Sequence, residues 1–546
     1  IPEALQKGLR RVCAKKVTQE VEDEVREVVY APITIEDFGD ALDDIVTGGA
    51  PGLSLATANM VKGWSAEVRQ FVFMHMNNIW TQLQCPAWIK DKVLKLAPKI
   101  PGNAALKNMR PISLYEIIRK VWTTTIAKRI HLVWHNRNVP HQAQYGYRLD
   151  QGTMMPLLNV INQIEGANVS KISKHVTFWD IRRAFDSVPR NLQKLSWMRL
   201  GVPKDVAMWF IELDDGGLSF LDTPLFANTK TLRSSSDMLS SDGHMSGAAN
   251  IEELSFQAER GIGQGESASS LMWLALYDIL LEWIDPRNAH LHVDEALEYT
   301  ADDARNATPY AYADDLATMT CGDKAEYMQG LQAQWLAAFC AFSGLVMHPD
   351  KIKSTIVGPI PAQYNANMTT YDHQWRPVHC RVDVELRTYK YLGVHLDLRC
   401  RSTDSFERVR QDAAARLSHL LIQPGSPQVK IDYIRFKIIP IVLYTAQVSN
   451  WSLAQYRGLD APFTETYRKL LSLPRHSPET IIYLPSRYCG IGLPRVSNKA
   501  QIQKWNTFLR CSALGGRCAA TINNFFDRIP QKRHPRQTPI KVIQPR

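Results

Sequence analysis

No Cys-x-x-Cys pair occurs anywhere in the 546 residues, and the nine cysteines, at 13, 85, 321, 340, 380, 400, 489, 511 and 518, are odd in number. That usage disfavours a structural zinc site or a disulfide scaffold and indicates free thiols in a reducing compartment. Long apolar runs are missing as well. The most apolar stretch, 269–284, is interrupted by Asp278 and Glu282, too short and too charged to span a bilayer. No signal-like segment opens the chain and no internal repeat is visible, so a soluble protein without a membrane partner or a solenoid is expected.

What is present is the apolar and charged balance of an ordinary globular protein, with length enough for several cores. The charge is unevenly placed. Of a formal +10, residues from 401 onward hold 23 Lys and Arg against 8 Asp and Glu, which leaves the first 400 residues at −5. A basic C-terminal third beside a mildly acidic body suggests a polyanion-holding arm next to a carboxylate-bearing site.

Apolar spacing predicts helices over 5–30, 66–84, 267–284, 324–343 and 403–422, and strands over 91–98, 175–180, 309–320 and 353–358. This mixture is an α+β pattern. Two stretches, 214–250 (rich in Gly, Ser and Asp) and 285–309 (polar, without period), read as surface insertions, and the basic, proline-rich 526–546 as a flexible linker.

The strongest local signal is Ala311-Tyr312-Ala313-Asp314-Asp315-Leu316, two adjacent acids between apolar residues suited to a buried strand pair. Burying two carboxylates costs several kcal/mol unless a cation compensates them. A tight hairpin with the acids at its tip would put them where a divalent ion can bind; standing alone, Asp-Asp is more often a plain polar turn. A second acid-bearing strand end is Val176-Thr177-Phe178-Trp179-Asp180, followed by a helical turn through Phe185 and Asp186. That pattern fits a metal ligand at a sheet edge, or equally a helix cap. Acids from two strands would hold a pair of magnesium ions about 3.5–4 Å apart, the arrangement that activates a 3′-hydroxyl and stabilises departing pyrophosphate. A decoy, Asp302-Asp303, is set aside as a pair of loop acids because Ala-Arg-Asn follows it instead of apolar residues.

Taken in order, Asp180-x-x-x-Ala184-Phe185-Asp186-x-Val188, Arg260-Gly261-x-x-Gln264-Gly265 and Tyr312-Ala313-Asp314-Asp315 resemble motifs A, B and C of reverse transcriptases. Pro98-Lys99 and Arg110-Pro111-Ile112-Ser113 resemble the fingers motifs, Ser343-Gly344-Leu345 with Lys351 and Lys353 resembles motif D, and Tyr391-Leu392-Gly393 the primer grip. Pro51-Gly52 with the block at 86–130 is similar to the N-terminal extension of the non-LTR (LINE-type) branch. The resemblance covers 31–395 closely and 403–510, including Gly490-Ile491-Gly492-Leu493-Pro494, more loosely.

The resemblance implies a right-hand polymerase with fingers, a palm with an antiparallel sheet, and a helical thumb. The implied divisions are an N-terminal extension over 1–90, fingers and palm over 91–395, a thumb over 396–510 and a basic tail over 511–546. The implied reaction is RNA-directed DNA synthesis by a non-LTR retrotransposon enzyme, extending a DNA primer on an RNA template with deoxynucleoside triphosphates. Two Mg2+ ions, with Mn2+ as an alternative, would sit on Asp180, Asp314 and Asp315. Lys99 and Arg110 would neutralise the triphosphate, Phe185 would clash with a 2′-hydroxyl, and Gln264 with Gly265 would approach the nascent base pair. Lys351, preferred by spacing over Lys353, would be the general acid. The chain would be a piece of a longer polyprotein, with other domains beyond it, acting in the nucleus.

Three departures from the family pattern stand out: Gly263 where Arg is usual, Glu266-Ser267-Ala268-Ser269 where Asp-Pro-Leu-Ser is usual, and His348 where Asn is usual. They leave the carboxylates intact but bear on template handling. They keep an inactive nucleic-acid-binding relic in view as one rival; the other is a group II intron-type enzyme with splicing duties, which the Asp180–Asp314 spacing and the thumb block resemble less well.

Overall fold

A computed structural model describes residues 1–99, 108–222, 255–294, 297–400, 403–513 and 519. The strands, in chain order, are β1 (Lys92–Pro98), β2 (Met109–Leu114), β3 (Lys174–Trp179), β4 (Ile181–Arg182), β5 (Leu218–Leu221), β6 (Ser255–Gln257), β7 (Ala307–Tyr312) and β8 (Asp315–Cys321). They continue with β9 (Val346–Met347), β10 (Lys353–Val357), β11 (Asn367–Tyr371), β12 (Pro377–Arg381), β13 (Thr388–Tyr391) and β14 (Val394–Asp397).

The central sheet has the order β10-β3-β8-β7, antiparallel throughout. Its strands are buried on both faces, which is why they read as nearly continuous apolar or threonine-rich runs. One face carries Val176, Phe178, Ala317 and Met319, packed with Leu157, Val160 and Ile164 of the helix Met154–Ser170. On the opposite face Thr177 and Ser354 are satisfied by the buried Gln329 amide of the helix Ala325–Ser343, at 2.7 and 2.8 Å. Trp179 likewise donates to Thr318 across the strand pair at 2.9 Å. Beneath this face runs the helix Ser267–Ile284, apolar on nearly every side because it is buried on nearly every side.

A second sheet, β2-β1-β5-β6, joins the expected fingers strands to a parallel neighbour from the stretch after the helix Lys204–Glu212. The stretch 5–30 forms two helices, Glu3–Val12 and Gln19–Tyr30, not one. Their apolar residues, including Leu9, Val25 and Val29, join the same core as Trp273 and Leu316, so residues 1–90 have no separate core. Residues 403–513 form a bundle of helices with its own core around Phe406, Leu417, Ile434, Phe463 and Tyr467.

Expectations for the irregular stretches need correction. Residues 285–309 are not a bare insertion: Val293, Leu297 and Tyr299 pack on the core, and His292 lies against Trp283 and Trp335. Asp302 and Asp303 are not loop acids but the first turn of a short helix, Ala301–Arg305, where Asp303 closes a capping box with Thr300. Of 214–250, residues 218–221 form β5 and 223–250 lie outside the described residues; of the expected tail, 511–513 end the helix Val496–Ala513 and nearly all the rest lies outside them. None of the eight described cysteines is in a disulfide, and no described helix is long and apolar enough to cross a membrane.

Candidate active site

β7 and β8 form a hairpin closed by the pair Tyr312↔Asp315, so Ala313 and Asp314 are its two central residues. β3 runs antiparallel beside β8 with Trp179 opposite Leu316, which brings the next residues out, Asp180 and Asp315, to the same end of the sheet. Strand alternation aims both side chains to the face of Phe178 and Ala317. On that face lies the hairpin β13–β14, where Tyr389 stacks on Phe178 at 4.0 Å and Tyr391 follows at 5.5 Å.

The acids perturb one another. Burial first, then the charges of Asp314 and Asp180, push the Asp315 carboxyl up to about 6. Burial also raises Asp314, with Asp180 adding to it and Arg110 and Lys99 opposing it. Asp314 and Asp315 nevertheless keep part of their surface exposed, so water moderates the repulsion. A crowd of hard oxygen donors short of positive charge suits a divalent cation. Among the described residues no three His, Cys, Asp or Glu side chains are grouped so as to hold a metal ion. Asp180 instead accepts a hydrogen bond from Lys351, whose ammonium lies 3.0 Å from Oδ2.

Lys351 ends a turn that follows β9, and β9 pairs with β4 directly after Asp180; His348 N also donates to the Asp180 carbonyl. Thus a two-residue strand, not a helical turn, follows Asp180, and the turn comes at Phe185–Ser187. Lys353 faces elsewhere, donating to the Asp350 carbonyl. Lys99, directly after β1, and Arg110, in β2, reach Asp314 electrostatically, Lys99 reaching Asp186 as well. Phe185 stacks on Trp273 at 4.5 Å and meets Tyr147 edge-on at 6.2 Å. Leu392 and Gly393 both have positive φ at the tip of β13–β14, and the Leu392 carbonyl accepts from Tyr444 of the helical bundle.

The motif B glycines sit in close contact with the fingers strands. A Cβ on Gly265 would come within 2.2 Å of the Ser113 carbonyl, and one on Gly263 within 1.7 Å of the Tyr115 hydroxyl. These glycines are therefore demanded by contact with β2 and the residue after it. Gln264 is held between Ser113 N, which donates to its carbonyl at 2.8 Å, and Asp186, which accepts from its amide at 3.4 Å.

Two residues beneath the acids were not singled out from sequence. Gln144, almost wholly buried, pairs its side-chain amide with both peptide groups of Ala313, at 3.0 and 3.0 Å, and accepts from Gly146 N at 2.8 Å. Ala313 has φ +54°, a left-handed position that ordinarily favours glycine. Tyr277 donates to the Asp314 carbonyl at 3.2 Å. The available signal for Tyr277 was its spacing from Trp273 on one helix face; for Gln144, a glycine two residues on, which alone says little.

The profile of the family described as "Reverse transcriptase (RNA-dependent DNA polymerase)" matches residues 97–396. The chain is 22% identical over 401 residues to the Retrovirus-related Pol polyprotein from type-1 retrotransposable element R2 of Popillia japonica, covering 73% of this chain and 50% of that protein. It is 22% identical over 408 residues to the corresponding polyprotein from type-2 retrotransposable element R2DM of Drosophila melanogaster, covering 73% and 33%. Over 185 residues it is 26% identical to the probable RNA-directed DNA polymerase from transposon X-element of Drosophila melanogaster, covering 33% and 20%. The chain thus spans half or less of the length of these relatives.

Proposed function

The chain belongs to the reverse transcriptase (RNA-dependent DNA polymerase) family, and from this we propose that it is the polymerase part of a non-LTR retrotransposon protein, extending a DNA primer 3′-end on an RNA template. The observation that carries the reading is the register that puts Asp180 and Asp315 at adjoining strand ends with Asp314 in the hairpin turn beside them, within electrostatic reach of Lys99 and Arg110. Two divalent cations, Mg2+ or Mn2+, held by these aspartates would supply activation of the primer 3′-hydroxyl and charge stabilisation of the leaving pyrophosphate.

The chain's own residues do the rest. Lys99 and Arg110 take the triphosphate, Arg110 with a planar fork and Lys99 with a point charge. Phe185, backed by Trp273, leaves no room at the sugar for a 2′-hydroxyl, which selects deoxynucleotides. Gln264 and Gly265 bound the base-pair side of the pocket. Lys351 holds a proton beside Asp180 for the departing pyrophosphate, and Tyr391, Leu392 and Gly393 place the primer end. Fingers and palm are assigned to 91–395, the thumb to 396–510, with the N-terminal extension at 1–90 and the tail at 511–546. The template would run along the basic helical bundle, and the nucleus is the site of action.

Incorporation of labelled dTTP on oligo(dT)-primed poly(rA) with magnesium tests this. The native protein should exceed Asp314→Ala by about a thousandfold or more, the scale expected when a metal ligand is lost. Equal signals from the two proteins would defeat the reading.

A further inference from the structure

The two motif B departures, Gly263 and Glu266, belong to one buried arrangement. Arg119, on the helix Ile117–Asn136, has a side chain only 1% exposed and uses all five of its N–H groups. Nε and one Nη grip Glu266 at 3.1 and 3.0 Å, that same Nη reaches Asp214 at 3.0 Å, and the other Nη donates to the Ile89 and Leu213 carbonyls at 3.0 and 2.7 Å. Asp214 also accepts from Lys92 of β1 at 3.0 Å and from the Tyr115 hydroxyl at 3.3 Å. The guanidinium lies 4.0 Å from the Tyr115 ring centre, and it is this tyrosine's hydroxyl that fills the space a Cβ at 263 would need.

Charges balance inside the cluster, Arg119 and Lys92 against Asp214 and Glu266, with Arg190 4.0 Å from Asp214 at its rim. Burial alone would push Asp214 up, yet Lys92, Arg119 and Arg190 hold it well below the usual carboxylate range. Glu266 stands at the N-terminal boundary of the helix Ser267–Ile284 but does not cap it; its carboxylate reaches across to Arg119 and to Thr123 at 2.7 Å. The residue immediately before Glu266 is Gly265, pressed on Ser113, and before that Gln264, bonded to Ser113 and Asp186. The loop 263–266 is therefore tied to β1 through Glu266, Arg119, Asp214 and Lys92 and to β2 through Ser113, and the first link depends on a guanidinium fork whose geometry no lysine reproduces.

We propose that Arg119 is a positioning residue for nucleotide selection: through Glu266 and Tyr115 it fixes Gln264 and Gly265 relative to the triphosphate-binding strands, so that base pairing and triphosphate binding are read in one frame. This rests on the polymerase reading of the site. Arg119 touches no reacting atom, and its effect belongs in the discrimination between nucleotides.

The test uses Arg119→Lys in the full chain, with Arg129→Lys as a control on the same helix. Arg129 donates to the Val28, Ala31 and Pro32 carbonyls and to Asp37, tying down the N-terminal helices far from the loop 263–266 in sequence and contacts. On primed poly(rA), Arg119→Lys should raise KM for dTTP about fivefold or more and lower the preference for dTTP over dGTP or dCTP by a similar factor. Its kcat at saturating dTTP and its affinity for the primed template should stay within about threefold. Arg129→Lys should lower the melting temperature without moving KM or preference. A folded Arg119→Lys with native KM and preference, or equal shifts in both variants, would overturn the proposal. Should Arg119→Lys not fold, Glu266→Gln, which keeps the side-chain volume, carries the same expectation and the same rejection. Failure of the underlying reading looks different: the native protein would then incorporate no more than Asp314→Ala.

Discussion

Asp315 shows how one side chain can oppose folding and still serve the site. Its carboxyl titrates near 6 in the folded protein, against an ordinary value of 3.8, because burial and two neighbouring carboxylates penalise its charge. A carboxyl whose folded-state pKa is raised binds its proton more tightly folded than unfolded, so stability falls as pH rises from about 4 to about 6 and stays lower above that. Asp315→Asn removes this loss. In chelator at pH 7.5 it should unfold with up to about 1 kcal/mol more stability than the native protein, a figure discounted for solvent exposure, and the difference should vanish below pH 4. Saturating magnesium should stabilise the native protein and not the variant. Denaturant unfolding at the two pH values, with and without the metal, decides it; a less stable Asp315→Asn in chelator would contradict the account.

The hairpin β7–β8 holds its tip against local preference. Ala313 adopts positive φ, a conformation that costs about 1–2 kcal/mol for a residue with a Cβ, and the Gln144 amide offsets that by closing on its N–H and C=O. Gly146 allows the approach, since a Cβ there would stand 2.4 Å from Ala313 N. Gln144→Leu should leave these peptide groups unpaired, lower stability by about 1–3 kcal/mol and reduce kcat about tenfold or more by loosening the aspartates, with primed-template affinity unchanged. Kinetics and a thermal melt on the same preparation check both. Unchanged kcat would mean that the tip is held by the strand register alone. β7 and β8 themselves were legible from the apolar residues that flank the acids. Gln144 was not, because its partner lies 169 residues away and its neighbours in sequence carry no period.

Across the whole chain, the N-terminal helices are structural partners of the palm. Leu5, Leu9, Val12, Val25, Val29, Phe38 and Leu42 are buried in the same core as Trp273 and Leu316. At roughly 1.5–3 kcal/mol for each such side chain, the seven removed with residues 1–44 contribute about 10–20 kcal/mol, as much as the ~5–15 kcal/mol by which a domain is ordinarily stable. The truncated protein should lose cooperative unfolding and be recovered mainly as aggregate. A soluble, cooperatively melting, polymerising truncation would show the helices to be dispensable.

The central strands, several of the helices and the acid-bearing segments were legible in the sequence, since apolar strand runs, helical period and three ordered acid-, glutamine- and tyrosine-bearing motifs are local in the chain. So was the α+β architecture. What had to wait for the tertiary structure was every contact between distant segments: Lys351 on Asp180 and not Lys353, the β4–β9 pair that brings it there, and Gln144 under Ala313. The motif B departures belong here too. In sequence Gly263 and Glu266 are deviations; in space one makes room for Tyr115 and the other meets Arg119. Residue type and spacing determine which groups can do chemistry. Which of them stand together depends on how buried charge and volume are satisfied across the core, and no local pattern encodes that.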